Sequence, residues 1–171
     1  MAISILRLGH RIIRDQRLST HVFLVARALG ATKGYYTGQR DRQLEASLEK
    51  AARAWGGKFS LQYLEVPNTI LKKFPGTVVH LTVYGMPFQK EISSLRKAHN
   101  LLLIVGGGKV PPEVYRRADL NLSVSSQPHS EVAALGIFLY ELQSRQFKEF
   151  RGGRLRVISQ ERGKKVIRAG R

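Results

Sequence analysis

Residues 101–142 read LLLIVGGGKVPPEVYRRADLNLSVSSQPHSEVAALGIFLYEL. With Asn100 in front, residues 100–106 form an unbroken apolar run, the pattern of a strand covered on both faces. Gly106, Gly107, Gly108 and Lys109 follow at once. Ordering three glycines is entropically costly, so their place needs a reason. In open α/β sheets the ground beyond the carboxyl ends of the strands is where ligands sit, and glycines there admit a ligand close to the backbone. A second strand, residues 121–124, leads into a polar loop. Ser125, Ser126, Gln127 and Ser130 stand there around Pro128, which fixes the backbone. A long apolar helix is expected over residues 130–147. Two strands, each followed by a loop at its carboxyl end, point to an α/β fold.

The rest of the chain repeats this alternation. Strands are expected at residues 3–9, 34–38, 59–66 and 77–85, the last β-branched, apolar and central. Residues 17–30 carry a Ser/Thr start, an apolar stripe and a stopping glycine, so a helix is expected there. Residues 41–57 start on Asp41, end on glycines and place Leu44, Leu48, Ala51, Ala52 and Trp55 on one stripe. Residues 68–74 read as a short helix capped by Asn68, and residues 87–99 as a helix opened by Pro87. The expected class is therefore α/β, a mostly parallel sheet with helices on both faces. Residues 148–171 hold nine basic and two acidic residues, a basic extension expected to pack on the same domain, with residues 154–160 as a candidate added strand.

Composition narrows the function. The chain has 171 residues with 43% hydrophobic, enough for one domain with its own core. Its apolar runs all fall short of the roughly 20 residues needed to span a bilayer. The first 17 residues lack the apolar core and cleavage site of a secretory signal, so a cytoplasmic protein is expected. There is no cysteine, which excludes disulfides, thiolate metal sites and cysteine nucleophiles. His10, His80 and His99 are scattered without metal-ligand spacing. Lys and Arg outnumber Asp and Glu by 29 to 12, a net +17, and a surface this basic attracts polyanions, nucleic acid first.

The glycine loop is not a known phosphate loop. Leu103 stands where a Walker A loop has its first glycine, and Val110 follows Lys109 in place of Ser or Thr. Pro111 occupies the last glycine of the dinucleotide fingerprint. The second loop, polar and beside free helix amides, suits a polar ligand of the adenosine kind.

Together, VGGGKVP and NLSVSSQPHSEVAALGIFLYEL resemble the second and third motifs of the SPOUT methyltransferases. With LRLGHRIIRDQRLSTHVFLVARALGA at the front, the whole chain is similar to the archaeal enzymes of that class that methylate the ribose 2′-hydroxyl of cytidine 56 in transfer RNA. The resemblance implies a sheet whose carboxyl end is tied in a trefoil knot, over a domain of residues 1–147. It also implies S-adenosylmethionine as cofactor, transfer RNA as substrate and a homodimer, with no metal and no membrane. The cofactor residues it implies are Leu81, Thr82, Tyr84 and Gly85; Gly106, Gly107, Gly108, Lys109 and Val110; and Val124, Ser125, Ser126, Gln127, Pro128, His129, Ser130 and Glu131. Ribose methylases of the broad class carry an arginine in the first helix, but Leu24 falls at that position here.

Arg17, His21 and Arg27 are the polar candidates nearby. Methyl transfer to a hydroxyl needs that hydroxyl held in line and helped to lose its proton. An imidazole is the one of these side-chain types that titrates near neutrality, so His21 is the candidate base. A guanidinium accepts no proton but can hold a phosphate and stabilise a developing alkoxide, a role open to Arg17. Arg17 and His21 are four residues apart, on one helix face. His129 is expected to shape its loop, Trp55 to pack in the core, and the Tyr35–Tyr36 pair is left open to base stacking. The apolar last helix wants cover that a second subunit would supply. Two other functions compete with the enzyme: a non-catalytic RNA-binding module of the same fold, and a P-loop nucleotide hydrolase, which the residue after Lys109 opposes.

Overall fold

β5 (Asn100–Gly106) runs through the middle of the sheet, and its five central side chains are all buried. The computed structural model describes residues 1–147 and 149–169. β1 (Ala2–His10) and β4 (Thr77–Pro87) flank β5. β2 (Lys33–Gly38) and β3 (Ser60–Tyr63) extend the sheet beyond β1, and β6 (Leu120–Ser123) closes it beside β4. The six-stranded order is β3-β2-β1-β5-β4-β6, and each neighbouring pair is parallel.

The pleat sorts the apolar side chains onto two faces. Ile3, Ile5, Val79, Leu101, Leu103 and Val105 join one core. Phe23 of α1 (Ile12–Ala28), Leu44 of α2 (Arg42–Trp55), Leu95 of α4 (Ile92–Leu95) and Phe138 of α6 (Glu131–Leu142) cover them. Leu6, Leu8, Val78, Leu102 and Ile104 join the other core, under Leu71 of α3 (Asn68–Leu71) and Val114 of α5 (Pro112–Arg117). Parallel strands need both faces dry, and this division supplies it. Asp41 caps α2, accepting from the amides of Gln43 and Leu44, and Ser130 caps α6 through Ala133 N–H.

Several elements differ from expectation for local reasons. α1 starts at Ile12, five residues before the expected start at residue 17. The Ser19 and Thr20 hydroxyls do not cap it, because Ser19 pairs with His10 and Thr20 bonds back to Gln16 C=O. Asn68 does not cap α3; its amide donates to Glu113. The segment after β4 breaks into a 3₁₀ turn (Phe88–Lys90) and α4 rather than one helix. α6 ends at Leu142, where Ser144 and Arg145 take left-handed backbone. β7 (Leu155–Ile158) does not join the main sheet; it pairs antiparallel with β8 (Lys165–Arg168) in a separate hairpin. The hairpin's stem rests on the end of α2, where Gly57 N–H donates to Arg151 C=O. Trp55 stays 38% exposed rather than entering the core.

Candidate cofactor cleft and its surroundings

Three loops meet at the carboxyl ends of β4, β5 and β6. The first comes from a break in pairing: Leu81 and Met86 both register against Leu122, so residues 82–85 bulge out of the ladder. Gly85 makes the bulge feasible, since a Cβ there would sit 2.6 Å from the Asn121 and Leu122 backbone. The second loop leaves β5 through Gly106–Gly108, with Gly108 at φ +93°, a left-handed conformation that suits glycine. The third follows β6, where Ser125 Oγ accepts from Gln127 N–H before Ser130 starts α6.

These loops enclose about 230 Å³. Of the expected cofactor residues, Leu81, Thr82, Tyr84, Gly106, Gly108, Val110, His129 and Glu131 line the cleft. Gly85, Gly107, Lys109, Val124, Ser125, Ser126, Gln127, Pro128 and Ser130 belong to the same loops but are not among its lining residues. His80, Val83, Val105, Tyr115 and Ala134 line it as well and were not expected. His80 and Val105 lie one residue outside the motifs. Tyr115 sits on α5, too short a helix to announce itself by period.

The cleft floor is polar and tightly connected. His80 Nδ1 lies 2.9 Å from Asn121 Oδ1, and Asn121 Nδ2 donates to Tyr115 C=O. Tyr115 OH lies 3.3 Å from Thr82 Oγ1. Burial pushes the His80 imidazole below its ordinary pKa, and the Asn121 bond partly offsets this. Beneath the glycine loop lies Arg7, wholly buried, donating to Leu8 C=O with its Nε and Nη2 unpaired. A Cβ on Gly107 would sit 2.6 Å from that Nη2, so the loop rests on the guanidinium. Burial lowers the Arg7 pKa, against the pull of Glu131 and Asp15.

Arg17 and His21 lie elsewhere. They line a groove of about 190 Å³ between α1 and α2, with Gln16, Thr20, Gln43, Leu44 and Ser47. Within one subunit the cofactor cleft and this groove share no lining residue. Arg27 is committed to structure: it is buried, donates to Gly56 C=O and faces the Phe150 ring at 5.0 Å. Ser19, His10 and Asp41 form a hydroxyl–imidazole–carboxylate series, at 2.8 and 3.3 Å. All three are buried, so the series ties β1 to both helices and presents no nucleophile. Tyr36 is likewise spent inside the fold, accepting from Asp41 N–H and donating to Glu45. Among the described residues no group of three His, Asp or Glu could hold a metal, and no helix is long and apolar enough to cross a membrane.

Comparison with known proteins agrees with this geometry. Residues 55–167 match the family model described as tRNA ribose 2′-O-methyltransferase, aTrm56. The chain is 44% identical over 168 residues to the tRNA (cytidine(56)-2′-O)-methyltransferase of Archaeoglobus fulgidus, covering 98% of this chain and 99% of that one. It is 51% identical over 146 residues to the protein of the same name from Methanococcus maripaludis strain S2, covering 81% of each. Among solved structures it resembles the A. aeolicus TrmH/SpoU tRNA modifying enzyme, with TM-score 0.61 and 17% identity over 84% of this chain and 74% of that one. It also resembles the SpoU methyltransferase AviRb of Streptomyces viridochromogenes in complex with AdoMet, with TM-score 0.61 and 13% identity over 84% of this chain and 57% of that one. At such identities these likenesses show the fold.

Proposed function

The chain belongs to the tRNA ribose 2′-O-methyltransferase family, and on that premise we propose its reaction and the residues that carry it. The methyl group of S-adenosylmethionine passes to the ribose 2′-hydroxyl of cytidine 56 in transfer RNA. The observation that carries this reading is the convergence of the three loops on one cleft, walled by aliphatic side chains and bearing one carboxylate, Glu131.

The cleft fits the cofactor. Leu81, Val83, Val105, Val110 and Ala134 offer apolar walls for an adenosyl group, and Glu131 offers charge to a cationic sulfonium. When bound, S-adenosylmethionine supplies an electrophilic methyl group. The chain supplies position and proton transfer. Gly85 and Gly106–Gly108 let the loops close on the ligand, and Arg7 supports the glycine loop from below. The knot that the SPOUT resemblance implies is assigned to this carboxyl end of the sheet.

For the substrate side, Arg17 holds a phosphate of the target and His21 accepts the 2′-hydroxyl proton at an imidazole nitrogen. Because both lie outside their own subunit's cleft, this assignment requires a homodimer in which the groove of one copy faces the cleft of the other. Exposed apolar side chains support such a pairing: Ile13 is fully exposed on α1, and Ile137 and Tyr140 are nearly half exposed on α6. A second reading keeps the proton within one cleft, at His129, which lines it.

Mixed dimers separate the two. One copy carries His21→Ala and the other Gly85→Ala, each expected to lose activity as a homodimer if the site is shared. If the site is shared, mixed dimers holding one intact pair recover activity on transfer RNA. Full activity in His21→Ala homodimers, which the shared site forbids, assigns the proton to His129 or solvent. A chain that sediments at 19.3 kDa while fully active removes the shared site altogether.

A further inference from the structure

His80 stands on β4 just before the bulge, and the ring of Tyr115 meets it edge-on at 4.6 Å. Its tautomer follows from its neighbours. Tyr115 C=O can only accept, so the Asn121 group facing it is the amide NH₂. Asn121 therefore turns its oxygen toward His80, and an amide oxygen also only accepts. Nδ1 must carry the hydrogen. In a neutral imidazole that leaves a bare lone pair on Nε2. Among the described residues no group donates to Nε2, and the His80 side chain lines the cleft. With Nδ1 turned to Asn121, Nε2 is the edge left for a ligand. His80 as a whole is 1% exposed.

An acceptor facing the cleft is open to a donor on a ligand, and would need one once a ligand displaces its water. The walls around it are aliphatic, and Glu131 belongs to the α6 side of the cleft, where a cation is better placed. We propose that Nε2 of His80 accepts a hydrogen bond from an uncharged N–H or O–H of the adenosyl part of S-adenosylmethionine, making His80 a specificity-determining residue for the cofactor. The inference rests on the cofactor cleft assigned above. Sites built to hydrogen-bond a ligand group reject analogues that lack it, so this contact discriminates as well as binds. Two donors share the chemistry: the adenine 6-amine and the ribose hydroxyls.

The test is calorimetry on the whole protein with S-adenosylhomocysteine, which binds without methyl transfer. His80→Phe keeps a flat ring but no acceptor. His80→Gln can place an amide oxygen near where Nε2 stood. The phenylalanine variant should bind about tenfold more weakly, and the glutamine variant within about threefold of wild type. Analogues lacking the 6-amine, or one ribose hydroxyl, identify the donor. The analogue missing it should lose about tenfold on wild type and nothing further on His80→Phe. Wild-type affinity in His80→Phe, or equal losses in both variants, would overturn the proposal and return His80 to packing. If His80→Phe does not fold, the analogues on wild type decide: equal affinity for all of them overturns it too. Failure of wild-type protein to bind S-adenosylhomocysteine would instead sink the cleft assignment itself.

Discussion

The cofactor cleft and the α1–α2 groove are built on opposite plans. The cleft is made by backbone: a bulge that only a glycine permits at position 85, a glycine loop resting on a buried arginine, and a neutral imidazole in its floor. The groove is made by side chains, with Arg17 and His21 exposed on a helix. One is shaped to hold a small molecule closely; the other presents charge and an imidazole to something large. The basic hairpin continues the second plan, since β7 and β8 carry Arg156, Lys165 and Arg168 on largely exposed strands. Damage to the first region should therefore appear as lost cofactor affinity, and damage to the second as lost rate or lost RNA affinity.

The largest expected effect is on rate. His21→Ala should lower methylation by about 10²–10⁴-fold, the usual worth of a general base, while S-adenosylmethionine affinity stays near wild type. Arg17→Ala should lower the rate as well, because it removes the charge that holds the phosphate. Pre-steady-state rates beside calorimetric affinities give the split. A fall in cofactor affinity equal to the fall in rate would erase the distinction between the two regions.

Gly85→Ala probes the other region. The added Cβ meets backbone at 2.6 Å, so the bulge must move. Overpacking of this kind costs about 1–3 kcal/mol, and cofactor affinity should fall at least about tenfold. Thermal denaturation and calorimetry on the same preparation read both. Unchanged affinity would mean that the bulge does not shape the cleft.

Neutralising Arg154, Arg156, Lys164 and Lys165 should weaken RNA binding at low salt and flatten its salt dependence, with cofactor affinity untouched. Each lost phosphate contact removes about 0.7–0.9 from the log–log slope, the range between single strands and B-form duplex. Arg156 is already paired with Glu149, so it should contribute least. An unaltered slope in binding titrations from low to moderate salt would leave the hairpin a purely structural role.

The smallest expected effect is a pH dependence from His80. In the unfolded chain an imidazole takes its proton near pH 6.5; in the fold, burial holds that value lower. Between the two values the unfolded state binds more protons, so stability rises with pH and falls as pH drops below about 6.5. Cofactor affinity should fall in the same direction, since protonated Nε2 no longer accepts. Tyr84 from the bulge, Tyr115 from α5, and His129 and Glu131 from the third loop and α6 are the other titratable groups lining the cleft. Chemical denaturation and calorimetry between pH 5 and 8 on wild type and His80→Phe isolate the His80 share; identical profiles would contradict it.

Much of this architecture is written in local signals. β5 and α2 fall where an unbroken apolar run, an Asp cap and closing glycines put them. The two loops that sequence singles out do converge, because both leave parallel strands at the same end, one on either side of β4. What escapes the sequence is set by distant pairing. Ser19 looks like a helix cap until His10 claims its hydroxyl. β8 has no meaning without β7, and α5 is too short for a helical period to register. The cleft floor draws on residues 80, 115 and 121, whose meeting depends on β4 lying beside β6. Arg7 reads as an ordinary strand cation, yet it is buried beneath a glycine loop 100 residues later.

The central claim is that this cleft delivers a methyl group to one ribose. The most direct measurement incubates the protein with unmodified archaeal transfer RNA and isotope-labelled S-adenosylmethionine, then maps the label by mass spectrometry of nuclease fragments. A single methyl on the ribose of cytidine 56 is expected, strongly reduced when Gly85→Ala protein is used under the same conditions. Label on a base, on another nucleotide, or undiminished in that variant would contradict it.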